Sequence, residues 1–117
     1  MAYRPIEVNL TLSANEEWPL KFTVQDASGA AQSLTGASAI WVLMSSPEGY
    51  ERLRKTVGSG IVITDAAAGI LVVTVEEADV DDLPAGVYYH ELRASINSIA
   101  RVVARGAITV LETAIRA

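Results

Sequence analysis

Leu83-Pro84-Ala85-Gly86-Val87-Tyr88-Tyr89-His90-Glu91-Leu92-Arg93 is a turn that feeds directly into an alternating strand. Pro84 fixes its own φ, and Gly86 can take backbone angles that residues with a side chain avoid, so the pair punctuates the chain just before the tyrosines. Beyond them, the two-residue period of a strand sends Tyr88, His90 and Leu92 to one face and Val87, Tyr89, Glu91 and Arg93 to the other. In β-sandwiches a tyrosine entering the penultimate strand at such a corner bonds its hydroxyl back to the loop it has just left. Gly86 and Tyr88 are assigned to that corner, with His90 and Leu92 in the core behind it.

Downstream, the strand runs to Ser95 or Ile96, turns at Asn97-Ser98 and returns as Ile99 to Leu111. Gly106 interrupts the return and is expected to mark a bulge. Glu112 to Ala117 either frays or adds a short helical tail. Upstream, Glu76 to Asp82 is an acidic crossover with room for one helical turn. Before it, Ile61 to Thr64 and Ile70 to Val75 flank Asp65-Ala66-Ala67-Ala68-Gly69 and form a hairpin, with Val73 in the core. Gly58-Ser59-Gly60 separates that hairpin from Tyr50 to Val57, a polar strand whose Arg52, Arg54 and Lys55 suit an edge that must resist unwanted pairing.

Farther upstream, Ile6, Val8, Leu10 and Leu12 alternate with Glu7, Asn9 and Thr11 as one half-buried strand. After Ser13 to Glu17, Trp18, Leu20, Phe22 and Val24 alternate with Lys21, Thr23 and Gln25, and Pro19 confines the start of this strand to an edge or a bend. Asp26-Ala27-Ser28-Gly29 has turn composition, and Leu34-Thr35-Gly36 is a short anchor. Ser38 to Met44 is apolar on both faces, Ala39, Trp41 and Leu43 alternating against Ile40, Val42 and Met44, and since only one face meets the opposite sheet of a sandwich the other needs a loop, a tail or another subunit as cover. Trp41, on the third long strand, is assigned to the core with Phe22. The count is seven or eight strands in one domain spanning residues 1–117, an all-β antiparallel sandwich.

Composition agrees. The chain has 117 residues, enough for a single core, and Val and Ile supply 22 residues against ten Leu, a β-branched excess that suits a pleated surface. With no cysteine there are no disulfides and no thiolate metal sites. A formal charge of -5 and a pI near 4.7 oppose the basic surface that phosphate neutralisation requires, which argues against nucleic-acid binding. No apolar run has the length of a membrane span, and no signal peptide precedes the first strand, so a soluble protein made in the cytoplasm is expected. Mean hydropathy is +0.29, consistent with apolar surface shared with a partner.

No residue pattern spells out a reaction, and no cofactor is expected. His90 is the only histidine, and no nucleophile or orienting partner stands at recognisable spacing from it, so a core histidine is the reading. Glu76, Glu77, Asp79, Asp81 and Asp82 lack the ordered spacing and glycine of an EF-hand, and read as a solvated loop with Asp79 or Asp81 capping a turn. Gly58-Ser59-Gly60 is a turn, not a nucleophile elbow. Trp18, Trp41, Tyr50 and Tyr89 would make a sugar-stacking platform only if several shared one exposed face. Trp18, Tyr50 and Tyr89, with Arg52 and Arg54, are the candidate interface residues, and Arg101 and Arg105 add basic groups on separate elements.

Phe22-Thr23-Val24-Gln25-Asp26-Ala27-Ser28-Gly29, Leu34-Thr35-Gly36, Gly60-Ile61-Val62-Ile63-Thr64-Asp65 with Gly69-Ile70-Leu71, and Leu83-Pro84-Ala85-Gly86-Val87-Tyr88 together resemble the small immunoglobulin-like domains of tailed-bacteriophage structural proteins. They are similar to the N-terminal domain of baseplate upper proteins and related tail-fibre adaptors. The resemblance implies an immunoglobulin-like sandwich without enzyme activity, oligomeric, partnered by other virion proteins and located in the virion after assembly in the host cytoplasm. A tail, baseplate or fibre-attachment adaptor is the first expectation. A head decoration protein, or a carbohydrate- or peptide-binding module using exposed aromatics, is the alternative.

Overall fold

The computed structural model describes residues 6–13, 16–46, 49–80 and 83–111. They form nine strands and one short helix: β1 Ile6–Glu7, β2 Leu10–Ser13, β3 Trp18–Thr23, β4 Ser38–Met44, β5 Glu51–Val57, β6 Gly60–Asp65, β7 Ile70–Val75, α1 Glu77–Val80, β8 Gly86–Ile96 and β9 Ile99–Leu111. Hydrogen bonds link the strands in the order β1-β9-β8-β4-β5-β6-β7-β3, with β2 also on β9.

The sheet is curled. Five strand steps separate β8 from β3 along this order, roughly 24 Å in a flat sheet. Yet the rings of His90 on β8 and Phe22 on β3 have centroids 5.9 Å apart. The curl is made at the β5–β6 junction, where only Thr56 with Gly60 and Val57 with Ile61 are paired, in parallel. Gly58, with a φ of 87°, and Ser59 make a tight jog there, the Gly58 N–H donating to Ile61 O at 3.1 Å and the Ser59 N–H to Thr56 O at 2.9 Å. Inside the curl lies one continuous apolar cluster that includes Trp18, Phe22, Leu34, Trp41, Val73, Leu92 and Ile108. Val80 of α1 plugs one side of it and is fully buried.

Three expectations are corrected. The sheet is mixed, not antiparallel, because β1 and β2 run parallel to β9. The strands number nine among the described residues, because the expected first strand is split at Val8 and Asn9. The bulge on β9 lies at Val103, not Gly106: Leu92 faces Ala104 while Arg93 faces Val102. Val103 and Ala104 are consequently buried in succession, which strict alternation forbids.

The strand expected at a charged edge, β5, is instead paired on both sides, with β4 and, through Thr56 and Val57, with β6, while other local readings have clear physical counterparts. Asn97 and Ser98 take φ of 53° and 67°, the two left-handed positions of a tight hairpin whose twist matches the strands β8 and β9. Pro19 lies on β3, the terminal strand of the order, where a missing N–H is tolerated. The helical turn falls at Glu77–Val80, and the β6–β7 hairpin is antiparallel. Gly86 takes a φ of 152°, rarely adopted by residues with a side chain, and the Tyr88 hydroxyl donates to the Pro84 carbonyl at 2.7 Å. The tail Glu112 to Ala117 lies outside the described residues.

Candidate functional site

The alternation of β8 divides two kinds of chemistry. Tyr88, His90, Leu92 and Ala94 are buried; Val87 and Arg93 are exposed, with Tyr89 and Glu91 half-buried between them.

On the inner face, His90 is 1% exposed. Trp41 Nε1–H donates to its Nδ1 at 3.1 Å, and its Nε2 meets the Val8 carbonyl at 2.7 Å. An indole N–H can only donate and a carbonyl can only accept, so Nδ1 carries the lone pair and Nε2 the proton. Burial pushes the His90 pKa below the usual imidazole value, opposed by the bond to Val8. Both ring nitrogens are engaged and neither is left to move a proton to or from a substrate.

The Val8 carbonyl is free for His90 because the parallel ladder is interrupted there. Val8 N–H donates to Arg105 O at 2.9 Å, as a parallel pair requires. The next bond, from Ala107 N–H to the Val8 carbonyl, is replaced by one from Ala107 N–H to the Asn9 side-chain oxygen, 2.9 Å. Gly106 makes room for this crossing: a Cβ on it would stand 2.0 Å from the Val8 oxygen.

On the outer face, the strand registers align Val42, Glu91, Arg105 and Glu7 in one row. Met44, Tyr89 and Ala107 form the next. Beside the β1–β2 junction these rows border a cleft of about 530 Å³, lined by Glu7, Asn9, Met44, Tyr89, His90, Glu91, Arg105, Gly106 and Ala107. Its carboxylates are weakly held. Glu7 accepts from the Asn9 amide at 3.3 Å, and Glu91 pairs with Arg93 at 3.4 Å.

The residues expected from sequence fall in different places. Phe22, Trp41, Val73, His90 and Leu92 lie in the core. Trp18 does not serve as an interface residue: it is 1% exposed, on the inward register of β3, and its Nε1–H donates to Ser13 O at 2.9 Å. With Trp41 also buried, no tryptophan is available for an exposed sugar-stacking platform. Tyr50 is 82% exposed just before β5. Arg54 is bound to Glu51 through two hydrogen bonds, while Arg52 is exposed at the extra position where β5 bulges against β4. Tyr89 lines the cleft.

Asp79 is committed to structure, accepting from Lys55 Nζ at 2.7 Å and from the Glu76 N–H at 2.9 Å. Burial raises its pKa, but those two bonds win and the net shift is downward. Asp81 and Asp82 lie outside the described residues, and among the described ones no group of three or more candidate ligands converges on a metal position. No helix among them is long and apolar enough to cross a membrane.

Sequence reading missed the cleft itself. Parity alone directs Glu7, Asn9, Glu91 and Arg105 outward, but bringing them together requires the parallel register of the first strands on the last.

No family profile matches this sequence, and no curated protein does. Among solved structures the chain is similar in fold to the N-terminal domain of phage TP901-1 ORF48, with a TM-score of 0.55 and 13% identity over 94% of this chain and 98% of that one.

Proposed function

We propose that this protein is a non-enzymatic structural component of a bacteriophage virion, an immunoglobulin-like sandwich that works as a tail, baseplate or fibre-attachment adaptor through protein–protein contacts. The observation that carries this reading is the likeness to the N-terminal domain of a phage protein over nearly the full length of both chains. The order of strands supports the sandwich. β3, β7 and β6 make one layer and β5, β4, β8, β9 and the β1–β2 pair make the other, with the Tyr88 corner between them.

The surface fits an adaptor. Ile40, Val42 and Met44 are only half-buried on the outer face, and Val87 and Leu111 are exposed on the same side. Among the described residues no strand pairs with the outer edge of β3 or of the β1–β2 pair, which leaves both to a neighbouring strand. Self-association through such surfaces is expected, giving a solution mass in light scattering that is a multiple of the 12.4 kDa chain. Immunogold labelling of purified particles tests the role. Label at the tail tip or fibre base is expected, label over the head turns the reading toward decoration, and unlabelled particles overturn it.

A further inference from the structure

We propose that the outer-face cleft of β8, β9 and the β1–β2 junction receives a basic side chain, arginine or lysine, from a neighbouring protein. That the side chain comes from a protein rests on the adaptor reading; the preference for a cation rests on the cleft alone. At about 530 Å³ the cleft falls within the range of small-ligand pockets, about 300–1,000 Å³, and so has room for one long side chain.

Its walls match the two parts of such a side chain. Tyr89 and Met44, neighbours across β8 and β4, offer an apolar strip for the aliphatic stem and an aromatic face for the charge. Glu7 and Glu91 supply carboxylate acceptors, and each is poorly satisfied among the described residues. The Asn9 amide gives Glu7 a hydrogen bond but no counter-charge. The Glu91–Arg93 contact is long and half-exposed, the kind that contributes little.

Arg105 lies between them in the row and forms no ion pair with either among the described residues. Within the lining, two carboxylates stand against one guanidinium, with Arg93 reaching Glu91 from outside it at 3.4 Å, in a chain whose formal charge is -5. An apolar occupant would strip water from the carboxylates without replacing its hydrogen bonds, and an anionic one would meet like charge. Tyr, Met and Arg are also the residue types enriched where proteins meet.

The test uses N-acetyl-arginine methylamide, titrated to about 50 mM while backbone amide resonances of the isotope-labelled protein are followed. Its uncharged isostere N-acetyl-citrulline methylamide, N-acetyl-glutamate methylamide and maltotriose are run in parallel. Saturable shifts are expected at Tyr89, Glu91, Arg105 and Ala107 with the arginine probe alone, weakened several-fold by 0.5 M salt. The double variant Glu7→Gln with Glu91→Gln should lower the affinity at least tenfold while leaving the thermal midpoint in place, because both side chains are at the surface and keep their shape. No response to arginine, an equal response to citrulline, a preference for glutamate or maltotriose, or binding that survives the double variant overturns the proposal. Arginine binding in the cleft of a protein absent from virions would sink the adaptor reading and leave this site standing. Labelled particles with a silent cleft would do the reverse.

Discussion

At the scale of single residues, His90 is held by a donor on one side and an acceptor on the other, and protonation breaks that arrangement. A proton on Nδ1 would face the Trp41 N–H, donor against donor. The unfolded chain has no such constraint and takes up the proton near the ordinary value of 6.5. Between that value and the lower one of the folded state, the unfolded state binds more protons, so stability falls as pH falls through this window and levels off below it. Urea unfolding from pH 8 to pH 5 should show that slope, and His90→Gln should flatten it while costing about 1–3 kcal/mol for the buried partners it leaves unpaired. Tyr88→Phe is a gentler probe. It removes only the hydroxyl bond to Pro84 and should cost about 1 kcal/mol in the same measurement, with pH dependence unchanged. The residue-level reading from sequence was sound for Tyr88, His90 and Leu92 because one strong alternation set their parity. For Trp18 the same parity placed it inward with Leu20 and Phe22, and its assignment to a contact surface let the chemistry of the ring outweigh its position.

At the scale of elements, local signals carried the hairpins and lost the parallel strands. The β6–β7 and β8–β9 pairs are joined by short turns, so turn chemistry and alternation define partner and register together. The β1–β2 pair meets β9 nearly a hundred residues away with no turn between them, and parallel pairing leaves no mark in the residues it joins. Gly106 illustrates the limit. Its presence in a strand signals either a bulge or a close backbone approach, and only the approach of Val8 decides. Gly106→Ala should therefore push the β1–β2 junction off β9. A loss of about 2 kcal/mol or more is expected in thermal or urea unfolding, overpacking added to a broken His90–Val8 bond. Hydrogen exchange locates the damage. The Val8 and Ala107 amides should exchange markedly faster in the variant, while Val72 and Val73 on the far layer keep their protection. Uniform acceleration would mean that the whole fold, and not this junction, depends on the glycine.

At the scale of the whole molecule, the β3-β7-β6 side of the curled sheet and the β5-β4-β8-β9 side share very little backbone hydrogen bonding. Among the described residues, the ladder that crosses is the two residue pairs between β5 and β6, so what couples the two sides is the shared apolar cluster between them. That arrangement predicts one cooperative transition. The two tryptophans make the prediction measurable, because Trp18 belongs to β3 in one layer and Trp41 to β4 in the other, and both are buried. Each single variant, Trp18→Phe or Trp41→Phe, leaves one fluorescent reporter and should lower stability by about 1–3 kcal/mol through lost packing and a lost indole hydrogen bond. Within each variant, the fluorescence of the remaining tryptophan and the far-ultraviolet circular dichroism should give the same urea midpoint. The slope with denaturant should match the wild type's in both, since the surface exposed on unfolding is the same. Fluorescence and dichroism midpoints that separate within one variant would show the layers melting independently. The curl at the β5–β6 jog would then be a hinge between two units, not a corner of one core.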